Sequence, residues 1–229
     1  MTRPGFMVIA HRGASSYAPE NTLAAFDLAI EMGVSHIELD VHTTRDGHVV
    51  VIHDDTADRT TNGSGPVTSH SLAELTALDA GTWFDQRFAG QRIPTLAAVF
   101  ERYKGRAHIH TEIKGHSADL SRATVDLVRR HGMAEQVTIT SFQKARPAGW
   151  LVAEVSEAII AQARALGLRQ LCPRASGVTV ELVQRLHAAG LVVRAWGVAD
   201  EEQMRRVVQA GADGMTVNFP DRLLEYLKT

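Results

Sequence analysis

His36-Ile37-Glu38-Leu39-Asp40-Val41-His42 followed by Thr43-Thr44-Arg45-Asp46-Gly47-His48 and then Val49-Val50-Val51-Ile52-His53 is the stretch that decides the fold. Side chains alternate faces along a strand, so Ile37, Leu39 and Val41 share one face and His36, Glu38, Asp40 and His42 the other. The link Thr43 to His48 contains Asp46-Gly47, a strong hairpin turn signal. It is too short for a parallel crossover, which takes about a dozen residues. Val49 to His53 therefore reads as a strand returning antiparallel beside the first.

Outward from this hairpin, strand-like and helical patterns alternate. A run at Met7 to His11 precedes a helical stretch from Asn21 to Met32, with Gly33 as its stop. Further strand-like runs fall near 108–113, 137–141, 150–153, 170–173, 191–196 and 214–218, and helical patterns near 95–104, 118–131, 155–166, 179–189, 201–210 and 221–228. Without the returning strand the core strands number eight, which predicts an α/β fold, a compact (β/α)8 TIM-type barrel. Residues 55–94 form a small loop-rich insertion after the hairpin, with too few apolar residues for a core of their own. Residues 1–229 are thus expected to make a single catalytic barrel domain. One join fits badly, because Phe142 to Gly149 leaves no room for a crossover helix.

The 229 residues are 45% hydrophobic and 22% charged, with a formal charge of −2. That balance argues against a nucleic-acid binder or an anionic-membrane binder held by bulk charge. The single cysteine, Cys172, allows no intrachain disulfide and suits a reducing compartment. The short apolar stretch before Ala10 is too brief for a signal-peptide core, and no run approaches the length of a membrane span. A cytoplasmic enzyme or binding protein without stable membrane insertion is the expectation.

In a barrel the apolar face of 36–42 packs on the helices, which turns the polar face inward. The same inversion occurs at His108-Ile109-His110-Thr111-Glu112-Ile113-Lys114, where His108, His110, Glu112 and Lys114 align. Buried carboxylates need a cation or dense hydrogen bonding. One reading is a salt-bridge network with Glu112 on Lys114. The other is a metal site in which Glu38, Asp40 and Glu112 offer oxygen donors to a hard divalent ion, Mg²⁺ or Ca²⁺. His108 and His110 could bind a softer metal, although two packed histidines are the ordinary reading of that pair. His11-Arg12-Gly13, directly after the first strand, suits a phosphate, with the guanidinium clamping the anion and the imidazole exchanging a proton. His53-Asp54 closes the returning strand level with Glu38 and Asp40, so two histidines could flank a metal-bound ester as base and acid.

Taken together, His11-Arg12-Gly13, Glu20-Asn21-Thr22, Glu38-Leu39-Asp40-Val41, Thr44-Arg45-Asp46-Gly47, His53-Asp54, Glu112-Ile113-Lys114, Ser141-Phe142 and Gly211-Ala212-Asp213-Gly214 resemble the glycerophosphodiester phosphodiesterase family, in its order and over most of the chain. The resemblance implies a (β/α)8 barrel with a small insertion after the histidine-aspartate motif. It implies Glu38, Asp40 and Glu112 as metal ligands, His11 and His53 as the acid–base pair, and Arg12 and Lys114 on the phosphate. Trp196 matches a position whose ring packs against glycerol, with a core Trp of a barrel strand as its ordinary reading, and Phe142 either lines the pocket or merely packs. Glu20 and Asn21 fall at the site rim, where Asn21 could equally cap the helix it opens. Two departures stand out: Asn218 replaces an aspartate frequent in the family, and Gln143 to Ala148 is shorter than the usual helical connection.

The activity so implied is hydrolysis of a small-molecule glycerophosphodiester to glycerol 3-phosphate and an alcohol, by water or through a cyclic phosphate. Three alternatives remain at this stage. A lysophospholipase D-like enzyme would need an apolar mouth, for which Trp83, Phe84 and Phe88 are candidates. An amidohydrolase-type barrel would use His108 and His110. A non-catalytic phosphate-ligand binder would bind without turnover. Homo-oligomerisation is left open, since no heptad or apolar stripe marks an interface.

Overall fold

The computed structural model describes residues 5–115, 118–142 and 149–229. The strands are β1 (Met7–His11), β2 (His36–Thr43), β3 (Val49–Val51), β4 (His108–Ile113), β5 (Val137–Ser141), β6 (Gly149–Val152), β7 (Gln170–Pro173), β8 (Val192–Ala195) and β9 (Gly214–Val217). The helices are α1 (Leu23–Glu31), α2 (Leu72–Ala77), α3 (Leu96–Tyr103), α4 (Ala118–His131), α5 (Glu157–Ala165), α6 (Val180–Ala188), α7 (Glu201–Gln209) and α8 (Pro220–Tyr226). The fold is the (β/α)8 barrel, with β3 as the added strand. The chain divides into two compact units, Ala10–Val137 and Met1–Ile9 with Thr138–Thr229.

In the unit Ala10–Val137, β2 is flanked by β3 and β4. β4 runs parallel to it with Asp40 opposite Glu112 and Glu38 opposite His110, and β3 runs antiparallel with Val41 opposite Val51. The predicted alternation holds: Ile37, Leu39, Val41 and Ile109 are buried core residues. The returning strand is shorter than Val49 to His53. Beyond it the Ile52 N–H still donates to the Asp40 carbonyl at 3.0 Å, but the Asp40 N–H that would return the bond donates to Asn21 Oδ1 at 3.3 Å instead.

Helix α1 starts later than Asn21. Thr22 is its cap, accepting from the Ala25 N–H and donating to the Pro19 carbonyl, so Asn21 is freed for another contact. The helix buries Ala25, Phe26 and Ala29, and Phe26 meets Tyr103 of α3 edge-on at 6.1 Å. The insertion carries α2, and its Ala57, Val67, Leu75, Ala80 and Ile93 cluster with Val50 and Ile52. As the composition implied, this segment completes its apolar contacts by borrowing residues from the β3 segment. Trp83, Phe84 and Phe88 stack edge-on upon one another.

In the other unit the strands run in the order β1-β9-β8-β7-β6-β5. β6 is parallel to both β5 and β7, so the strand at the awkward join is real. The short connection Gln143 to Ala148 lies outside the described residues. Among the described residues no helix is long and apolar enough to cross a membrane.

Candidate active site

Within the unit Ala10–Val137, Glu38, Asp40 and Glu112 converge, with one carboxylate oxygen from each lying within 4.8 Å of the others. All three are buried, Asp40 completely. The parallel register of β2 and β4 puts Asp40 and Glu112 side by side, and the two-residue period adds Glu38 on the same face. Among the described residues this is the one group of histidine, cysteine and acidic side chains with such geometry.

Two cations and an amide hold the cluster. The Asp40 Oδ2 accepts from Asn21 Nδ2 at 2.9 Å and lies 3.2 Å from Arg12 Nε. Lys114 Nζ is 2.7 Å from Glu112 Oε1 and 3.6 Å from Asp40 Oδ1. The salt bridge of Glu112 on Lys114 is therefore present, next to the acidic cluster. Glu38 Oε2 accepts the Arg12 backbone N–H at 3.0 Å and sits 3.9 Å from His11 Nε2.

The loop that delivers Arg12 is strained. Arg12 and Asn21 adopt positive φ of 55° and 58°, and Asn21 N–H donates to the Arg12 carbonyl at 3.0 Å. Such backbone in a non-glycine residue costs of order 1 kcal/mol and is found where the surroundings over-determine it. Gly13 follows at φ 83°, and a Cβ there would lie 2.6 Å from the Ala25 backbone. Close approach to α1, rather than to a ligand, is what demands glycine.

His53, within electrostatic reach of Asp40, hydrogen-bonds Asp54 Oδ1 through Nδ1 at 2.6 Å. Arg59 binds both Asp54 oxygens and both oxygens of Glu20. Glu20 in turn accepts from Arg12 Nη1 at 2.9 Å. The reading of the sequence singled out neither Arg59 nor a role for Asp54, since an arginine in a polar loop carries no pattern of its own.

The charges are unequal to one another. Burial opposes ionisation of Asp40, but Arg12 and Lys114 more than offset it and hold its carboxyl below the usual range. Glu112 goes the other way: burial, then the charges of Asp40 and Glu38, push it up to about 7. A hard dication fits this set. The donors are all oxygen, and Asp40 Oδ1 is buried without a hydrogen bond.

A raised folded-state pKa means that the stability Glu112 contributes is present below about 4.5 and lost as pH rises through about 7. In chelator the protein is expected to lose on the order of 3 kcal/mol across that window. Binding of Mg²⁺ or Ca²⁺ should weaken about tenfold per pH unit below 7, as the metal displaces the proton. Calorimetric titration at pH 6 in two buffers of different ionisation enthalpy should show about one proton released, and Glu112→Gln should abolish the release.

His36, His108 and His110 cluster with one another, ring centroids 5.0 to 5.4 Å apart, and His36 Nδ1 is 3.1 Å from His110 Nε2. They pack on one another and are not members of the three-carboxylate group. Trp196, in the other unit, follows β8, donates from Nε1 to the Val152 carbonyl, and meets Phe142 edge-on at 5.1 Å. Asn218 follows β9 and is exposed.

A (β/α)8 fold with a buried acidic cluster held by two cations has the make-up of a barrel enzyme. Comparison with known proteins specifies which kind. The model of the glycerophosphoryl diester phosphodiesterase family matches residues 11–149 and 134–222. A glycerophosphodiester phosphodiesterase of Caldanaerobacter subterraneus is 36% identical, the match covering 97% of this chain and 98% of that one. One of Bacillus subtilis is 31% identical over 94% and 84%. The structure of an Oleispira antarctica phosphodiesterase in complex with the product sn-glycerol-3-phosphate superposes with a TM-score of 0.90 at 30% identity, covering 96% of each chain. The chain belongs to the glycerophosphoryl diester phosphodiesterase family and is a phosphoric diester hydrolase.

Proposed function

We propose that the chain, acting as a single catalytic domain in the cytoplasm, hydrolyses glycerophosphodiesters to glycerol 3-phosphate and an alcohol. The observation that carries this reading is the convergence of Glu38, Asp40 and Glu112, with His11 and Arg12 against them and His53 within electrostatic reach of Asp40. Glu38, Asp40 and Glu112 hold Mg²⁺ or Ca²⁺. When bound, the ion supplies Lewis-acid polarisation of a non-bridging phosphate oxygen and offsets charge in the transition state.

Arg12 and Lys114 take the remaining phosphate charge. Because Asp54 accepts the Nδ1 proton, His53 presents Nε2 for proton exchange. Burial lowers the pKa of its imidazole. In the reaction a P–O bond forms to the nucleophile while the P–O bond to the alcohol breaks. One imidazole takes the nucleophile's proton and the other protonates the departing alkoxide. The nucleophile is water, or the glycerol hydroxyl next to the ester with later opening of a cyclic phosphate. Oxygen-isotope labelling separates the two routes.

The deciding experiment is release of glycerol 3-phosphate from several head-group diesters, with Mg²⁺, Ca²⁺ or chelator. Release is expected only with cation, and Glu38→Ala and His11→Ala should abolish it. Full, chelator-insensitive activity in both variants would refute the mechanism.

A further inference from the structure

Arg59 lies in the insertion after the hairpin, on a loop with no regular secondary structure. Its guanidinium makes four hydrogen bonds to two carboxylates. Nε reaches Asp54 Oδ2 at 2.6 Å and Nη2 reaches Asp54 Oδ1 at 3.0 Å. Nη1 reaches Glu20 Oε2 at 2.9 Å and Nη2 reaches Glu20 Oε1 at 2.8 Å. Each carboxylate then meets a different member of the site: Asp54 Oδ1 is on His53 Nδ1, and Glu20 Oε1 is on Arg12 Nη1.

We propose that Arg59 is a positioning residue for the reaction, its one guanidinium locking Asp54 behind His53 and Glu20 behind Arg12 so that the acid–base imidazole and the phosphate-binding arginine are held in one frame. The proposal rests on the roles given to His53 and Arg12 above. Without Arg59, the Asp54 carboxylate is free to turn about its side-chain bonds and to release the imidazole from its single tautomer. Glu20 would likewise lose the partner that fixes its second oxygen. The fork geometry of a guanidinium is what permits two bidentate pairings at once, and the point charge of a lysine cannot reproduce it.

The exposure of Arg59 sharpens the test. Its side chain is 44% accessible, and ion pairs at that exposure contribute little to stability. A residue present only for stability would leave catalysis unchanged when removed. A positioning residue would do the reverse.

Arg59→Ala is expected to lower kcat by about 10²-fold, within the range seen for residues that orient catalytic groups, while the melting temperature moves by about 3 °C or less. Added guanidinium ion should restore about tenfold of the loss, and Arg59→Lys should stay near the alanine variant. Ring ¹⁵N resonances of His53, assigned against His53→Ala, should show the Nδ1–H tautomer in the native protein and an average of tautomers in Arg59→Ala. Arg59→Gln repeats the measurements if the alanine variant folds poorly. Activity within about threefold of native with unchanged His53 resonances would overturn the proposal. So would a loss of activity that guanidinium leaves untouched and that tracks a lowered melting temperature. A native protein that releases no glycerol 3-phosphate would instead defeat the functional reading, and the His53 resonances would still judge Arg59.

Discussion

Asp40→Asn is expected to lower kcat/KM for glycerophosphodiester hydrolysis by about 10³-fold or more, equivalent to about 4 kcal/mol of transition-state stabilisation. Asp40 is fully buried and central: Asn21 and Arg12 share its Oδ2, and Lys114 faces its Oδ1. The amide keeps the shape but removes one of three negative donors, so affinity for the dication falls with activity. Arg12 and Lys114 both have pKa values raised by Asp40, against the effect of burial, and would be left under-compensated. Glu112 should respond in the opposite sense. Part of its rise to about 7 comes from the Asp40 charge, after burial, so in the variant it should titrate nearer its ordinary range. Steady-state kinetics, metal titration and the pH dependence of the melting temperature together check the prediction. Native-like metal affinity in Asp40→Asn would remove Asp40 from the ligand set.

His53→Ala should reduce kcat by about 10³-fold with natural diesters, within the range of a lost general acid or base. The loss also identifies the role. With a diester whose leaving group is a weakly basic phenolate, departure needs no proton. If His53 is the general acid, the loss on that substrate should shrink to about tenfold or less. If it is the base, the loss stays near its full size. In the proposed mechanism the two imidazoles share the two proton transfers, so His11→Ala should show the complementary pattern. Equal losses for both variants on both substrates would contradict a division of labour between them.

The parts of the site legible in the sequence are those carried by local periodicity. Glu38 and Asp40 lie two residues apart on one strand, as do His108, His110 and Glu112, and a two-residue period needs no knowledge of the rest of the chain. The hairpin was legible for the same reason, because Asp46-Gly47 is a local turn signal. His53 could be placed once that turn was recognised. The end of β3 was not legible, because the Asp40 N–H facing it is taken by the side chain of Asn21, nineteen residues away.

The family motifs and the strand–helix alternation by themselves determined the barrel, the acidic residues available to a cation and the two imidazoles. Tertiary structure alone decided how these groups are held. Asn21 turns from helix cap to Asp40 donor because Thr22 caps α1, the histidines at 36, 108 and 110 pack with one another, and Arg59 bridges Glu20 to Asp54. The difference is physical. Strand periodicity and turn chemistry are set by neighbouring residues, whereas hydrogen bonds between long polar side chains depend on loop positions that leave no period in the sequence.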